Sequence, residues 1–166
     1  MPDVSSAAYT HYSDCSYHDY PDSAISDNNP STYVQGCHYI AIDLGIGNAQ
    51  ILGWIRIAVL NSAAKTAMNN SLFQGSNDST NGSDGTWTTL HTILSSELVD
   101  SGFSNEIAVT LSIGYRFFRI SGLPAGSSIV ICEWELLQSQ QARKCYLHAR
   151  RDRMNIKGVS TQNSLA

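Results

Sequence analysis

The side chains with reactive potential are five histidines, four cysteines and fourteen carboxylates, and their spacing argues against catalysis. His11, His18, His38, His91 and His148 form no HExxH-type metal pair. No Gly-x-Ser-x-Gly nucleophile turn occurs. Glu133 and Glu135 stand two apart on one strand face, whereas glycosidase carboxylates flank a cleft from separate elements. Asp43-Leu44-Gly45-Ile46-Gly47 holds a lone Gly-x-Gly with no helical pattern behind it, which reads as a turn and not a dinucleotide site. Cys15, Cys37, Cys132 and Cys145 include no Cys-x-x-Cys pair, so a zinc knuckle is not expected, and they allow three full pairings. Cys132 lies in an apolar strand pattern and reads as a buried free thiol. Three Asn-x-Ser triplets, at Asn69, Asn77 and Asn81, would accept glycans only in a secretory pathway. The first fifteen residues carry no basic-then-apolar leader, so these triplets read as chance in an Asn/Ser-rich surface.

The elements that must position any site are strands. Tyr39–Leu44 alternates, with Ile40, Ile42 and Leu44 on one side. Ile51–Leu60 is apolar on both faces, as in a central strand. Leu72–Gly75, Trp87–Leu94, Glu106–Gly114, Tyr115–Ile120 and Ser128–Leu137 add further period-two segments, broken by Gly, Asn and Ser. Glu133 is expected on the face of Ile129 and Ile131, opposite Trp134. No stretch before Gln138 has a helical period. The pattern predicts an all-β sandwich or barrel over residues 17–138. The polar residues 1–16 read as an extended N-terminal arm, and residues 139–166 as a basic C-terminal arm. Ser76–Gly85 has no apolar residue and reads as a flexible hairpin connection or an exposed surface loop. Charge divides along the same lines: four basic and thirteen acidic residues precede Gln138, six basic and one acidic follow it. Such a tail is attracted to its own body, a neighbouring copy or another polyanion. No apolar run reaches the ~18 residues of a membrane span.

Six landmarks in order give the sandwich a family likeness. They are Ala24-Ile25-Ser26-Asp27-Asn28-Asn29-Pro30-Ser31-Thr32-Tyr33, then Tyr39-Ile40-Ala41-Ile42-Asp43-Leu44-Gly45, then Ile55-Arg56-Ile57. Phe73-Gln74-Gly75-Ser76-Asn77-Asp78 with Trp87-Thr88-Thr89-Leu90, Tyr115-Arg116-Phe117-Phe118-Arg119-Ile120 and Glu133-Trp134-Glu135-Leu136 complete the set. The chain thereby resembles the discoidin domain, the coagulation factor V/VIII type C or galactose-binding-like family. The resemblance implies a jelly-roll β-sandwich. Asn28 stands where the family has glycine, and Asn tolerates the same positive φ. The terminal disulfide of extracellular members has no obvious counterpart.

The resemblance also implies sites. A structural calcium in sugar-binding members maps onto Asp27, Asn29, Thr32 and Glu133, a set of hard oxygen donors. Without a metal, Asp27 would form an Asx turn and Glu133 would pair with Arg116 or Arg119. Ligand contacts from end loops map onto His18, Tyr20, Asn69, Asn70, Phe103 and Asn105, which supply aromatic faces and planar amides for a sugar. Trp54, Trp87 and Trp134 read as core or half-buried. Arg143, Lys144, Arg150, Arg151 and Arg153 are the expected subunit contacts; nucleic acid is a weaker reading of the same run. The expectation is therefore a non-catalytic structural or adhesion module of a virion (phage capsid, collar or tail). It would assemble with other subunits as a homo-oligomer through its arms and bind surface glycans. The alternative is a lectin-like carbohydrate-binding protein, extracellular or at a cell surface.

Overall fold

A computed structural model describes residues 3–5, 8–15, 20–109, 111–122 and 129–139. Nine strands appear among them: β1 Thr10–Ser13, β2 Val34–Cys37, β3 Ile40–Asp43, β4 Leu52–Val59, β5 Leu72–Ser76, β6 Thr88–Thr92, β7 Ile107–Ala108, β8 Phe117–Ser121 and β9 Ile129–Gln138. They form two antiparallel sheets, β1-β3-β8-β5-β6 and β2-β9-β4-β7. This is the β-sandwich that the family resemblance implied, and it agrees with the alternation.

The two sheets meet through aromatic rings. Phe73 of β5 stacks on Phe118 of β8, centroids 5.7 Å apart, and meets Trp134 of β9 edge-on across the interface at 6.5 Å. Ile40, Ile42, Ile55, Ile57, Ile120 and Leu136 fill the rest of this layer, each at most 1% exposed. Truncating a ring such as Phe73 to alanine typically costs about 3–5 kcal/mol.

Four local expectations are corrected. The N-terminal residues are laid on their own fold: β1 is the edge partner of β3, and Val4 N donates to Leu136 O of the other sheet at 2.8 Å. The Glu106–Gly114 alternation yields only the two-residue β7. Its partner β4 begins at Leu52, so the ladder ends soon after Val109 N bonds Gly53 O, and pairing resumes at the Gln50–Tyr115 bridge. A six-residue helix, α1 Ser62–Ala67, stands where no helical period was read; one and a half turns are too short to show one. Asn61 caps it, accepting from Ala64 N at 3.0 Å. Finally, the β4–β9 register shifts between Ala58 and Val59, whose partners are Glu133 and Ile131. That bulge resets the alternation at Cys132, so Ile131 joins the core cluster while Glu133 stays opposite Trp134.

Cys15 and Cys37 form a disulfide, which leaves Cys132 buried with a free thiol. Cys145 lies outside the described residues.

Candidate functional site

The loop 27–33 closes onto β9. Asn28 sits at φ 60, the left-handed turn that asparagine tolerates. That turn aims successive main-chain N–H groups inward. Asn29 N donates to Asp27 Oδ1 and to Glu133 Oε1, both at 2.8 Å, and Asn28 N donates to Glu133 as well. Thr32 Oγ1 lies 3.0 and 3.2 Å from the Asp27 carboxylate oxygens and 2.8 Å from Asn29 O. All four residues of the expected oxygen set thus meet at one place. Glu133 is 3% exposed. Burial, together with a hydrogen bond to Asp27 and that carboxylate's charge, pushes its carboxyl up to about 7. Neither Arg116 nor Arg119 reaches it. Arg116 forks onto Asp43 at 2.5 and 2.6 Å. Arg119 lies 3.9 Å over the Trp87 ring and bonds Gln74 Oε1 at 2.8 Å.

Two facing carboxylates, with the Thr32 hydroxyl and the Asn29 carbonyl beside Asp27, are hard oxygen donors of the kind calcium takes and a softer metal does not. Among the described residues no cluster of three His, Cys, Asp or Glu converges, so remaining ligands would be carbonyl, amide or hydroxyl oxygens.

The outer face of the four-stranded sheet continues from this point. Ala58 pairs with Glu133 on one side and bridges to Phe103 on the other, which sets Phe103 and Glu133 two strand spacings, about 10 Å, apart. Arg56 covers the half-buried Phe103 ring at 4.6 Å and bonds Glu135 at 2.8 Å. Tyr20 and Tyr33, both half-buried, meet edge-on at 5.4 Å beside the 27–33 loop. The Asn69 side chain is used structurally, its Oδ1 accepting from Ser95 N at 2.9 Å, whereas Asn70 is tied through its main chain, N donating to Ile93 O at 2.8 Å, and the residue is exposed. Asn105 is exposed. Strand register puts Asn69, Asn70, Phe103 and the disulfide at the same end of the sandwich, where β4 stops and β3 and β5 start. His18, Arg143, Lys144, Arg150, Arg151 and Arg153 lie outside the described residues.

Sequence reasoning missed Tyr33, Arg56 and the Asp14–His38 pair. Asp14 accepts from His38 N at 2.7 Å and from His38 Nδ1 at 2.9 Å, next to the disulfide. Tyr33 closes the first landmark and was legible there; the others depend on contacts distant in sequence.

Two antiparallel sheets with a loop locked to a carboxylate of the last strand define a galactose-binding-like, or discoidin-like, sandwich. No protein-family model and no curated protein sequence matches this chain. Solved structures do. CBM62 from Clostridium thermocellum Xyl5A is 24% identical with TM-score 0.65, over 84% of this chain and 98% of that one. A Streptococcus pneumoniae fucose binding module, SpX-3, is 13% identical with TM-score 0.60, over 84% and 100%. A mutant of chitosan-binding module 1 from a Paenibacillus sp. IK-5 chitosanase/glucanase is 18% identical with TM-score 0.57, over 81% and 96%. Likeness at these identities speaks to the fold.

Proposed function

We propose that this chain is a non-catalytic carbohydrate-binding module whose ligand surface is the loop end beside Glu133. The observation that carries the reading is the breadth of the likeness: modules described as binding chitosan and fucose each align with 81–84% of this chain over 96–100% of their own length. The side chains at that end suit the role. Tyr20 and Tyr33 offer ring surfaces for sugar C–H faces, Phe103 with Arg56 laid over it offers an apolar edge and N–H donors, and the exposed Asn70 and Asn105 offer planar polar groups for hydroxyls. Non-catalytic action fits Glu135, which is held by Arg56 on the same strand face as Glu133 with no cleft between them. Calcium, held by Asp27 and Glu133 with Asn29 and Thr32, would neutralise the two facing carboxylates and fix the loop.

The setting follows from covalent chemistry. A disulfide supports an oxidising, extracellular or cell-surface location. For the virion reading, the opposite charges of the body and of residues 139–166 remain the support, since the described strand of the N-terminal arm, Thr10–Ser13, pairs within its own sheet.

A glycan array probed with the full chain, with calcium and then with chelator, tests the proposal. We expect binding to at least one oligosaccharide class, weakened at least tenfold by Tyr33→Ala or Phe103→Ala while the melting temperature of each variant stays near that of the parent. An array blank in both buffers sinks the reading.

A further inference from the structure

Three Asn-x-Ser triplets occur, and the fold treats them differently. Asn77 is a tie: its Nδ2 donates to Gly114 O at 3.0 Å and its Oδ1 accepts from Arg116 N at 2.9 Å. A sugar on that nitrogen would sit in the seam between two loops. Asn69 is half-buried, its Oδ1 is taken by Ser95 N, and its triplet hydroxyl, Ser71, is fully buried and donates to Met68 O at 2.7 Å.

Asn81 is the opposite case. It is exposed, and its Oδ1 accepts from Ser83 N, Ser83 Oγ and Asp84 N at 2.9, 2.9 and 3.0 Å. Three donors on one atom identify that atom as the carbonyl oxygen. Among the described residues no hydrogen bond from Nδ2 is formed, and the residue is exposed. The triplet hydroxyl, Ser83 Oγ, is itself bonded to the acceptor amide. The backbone beneath is fixed. Gly82 is buried, at φ 78, so close to the five-stranded sheet that a Cβ there would lie 2.8 Å from Ala41 Cβ. Arg119 Nη1 holds the carbonyls of Gly82 and Ser83 from below, both at 3.3 Å. The loop therefore presents one amide nitrogen outward from a rigid base, and the Cys15–Cys37 disulfide agrees with the compartment in which such an amide is modified.

We propose that Asn81 is the N-glycan acceptor of this chain in a secretory pathway. The donor class is an oligosaccharyl diphospho-lipid, acted on by a membrane transferase. Asn81 Nδ2 attacks the anomeric carbon, the C–N bond forms, the bond from that carbon to the pyrophosphate oxygen breaks, and the Nδ2 proton passes to a base of the transferase. The lipid pyrophosphate leaves. The attached glycan would cover the outer face of the five-stranded sheet, over Tyr12 and Ala41, and leave the loop end beside Glu133 open. This inference does not depend on the chain binding sugars itself.

The test is expression of the full chain behind a secretion leader in eukaryotic cells, with intact mass and site mapping before and after peptide-N-glycosidase. Both the secreted and the cell-retained pools are measured. We expect one glycan, at Asn81, lost in Asn81→Gln and in Ser83→Ala and retained in Asn69→Gln and Asn77→Gln, with the same melting temperature before and after enzymatic removal. An unmodified parent chain, or a glycan mapped to Asn69 or Asn77, overturns the assignment.

Discussion

Ser26 Oγ lies between the Trp134 indole N–H, at 2.9 Å, and His11 Nε2, at 3.2 Å. His11 Nδ1 lies 2.8 Å from Tyr9 O, an atom that only accepts, so Nδ1 carries the proton. Nε2 is then the acceptor for the Ser26 hydroxyl, which in turn accepts from Trp134. A neutral imidazole completes this relay, and burial lowers the His11 pKa, opposed by the Tyr9 carbonyl and the Asp22 charge. The unfolded chain takes up that proton first, so His11 removes stability as pH falls below about 6.5. Glu133 has the opposite sign. Its carboxyl titrates at about 7 in the fold, so its contribution is complete below about 4.5 and is lost as pH rises through 7. In metal-free protein the two oppose each other between these limits. His11→Gln should abolish the acid-side loss, read as melting temperature against pH from 5 to 8. Glu133→Gln copies the protonated acid: it should raise stability at pH 8 by up to about 3 kcal/mol and erase any calcium-induced rise in melting temperature. A calcium response that survives in the glutamine variant would remove Glu133 from the site.

At the scale of elements, β1 is a four-residue edge strand with little to bury, yet it is stapled at its end. The Cys15–Cys37 bridge closes a sequence separation of 22 residues, and Asp14 adds its bonds to His38 and Tyr39. Loop-closure entropy for that length is about 3 kcal/mol. Cys15→Ser with Cys37→Ser should lower the unfolding free energy in urea by that order and speed amide exchange in residues 10–13 before any other strand. The polar loop after β5 is held just as locally. Asp84 accepts from Thr80 and Ser79, and these bonds keep its carboxyl down at about 2. Gly82→Ala adds a Cβ against Ala41 and Tyr12 at a positive φ, so we expect a loss of about 2 kcal/mol or more. The urea midpoint should fall with an unchanged slope, and proteolysis should begin in this loop.

For the whole molecule, charge is the governing property. Of the four basic residues before Gln138, Arg56, Arg116 and Arg119 are each engaged with an acid, a ring or a carbonyl, which leaves most of the thirteen acids uncompensated. Residues 140–166 carry the counter-charge. A chain ending at Ser139 retains all nine strands and the bond from Ser139 N to Ile51 O at 3.1 Å. Sedimentation at low and at high salt then reads assembly: the full chain should associate at low salt and the truncated one should not. Equal sizes for both at low salt would end the assembly reading.

Period-two apolar spacing determined an all-β sandwich or barrel, because alternate side chains of a strand must face one core whatever the partners are, and the family likeness chose the sandwich. The family likeness carried by the six landmarks implied Asp27, Asn29, Thr32 and Glu133 as a set, and the fold brings them together. Pairing was not legible. Which cysteines join, that Arg56 covers Phe103, that β1 abandons the role of a free arm, and which of three Asn-x-Ser amides faces outward all depend on which strands become neighbours. A bulge at Cys132 moves Ile131 into the core against its own alternation. Sequence spacing encodes which face a residue occupies; only closure of the two sheets decides what waits on that face.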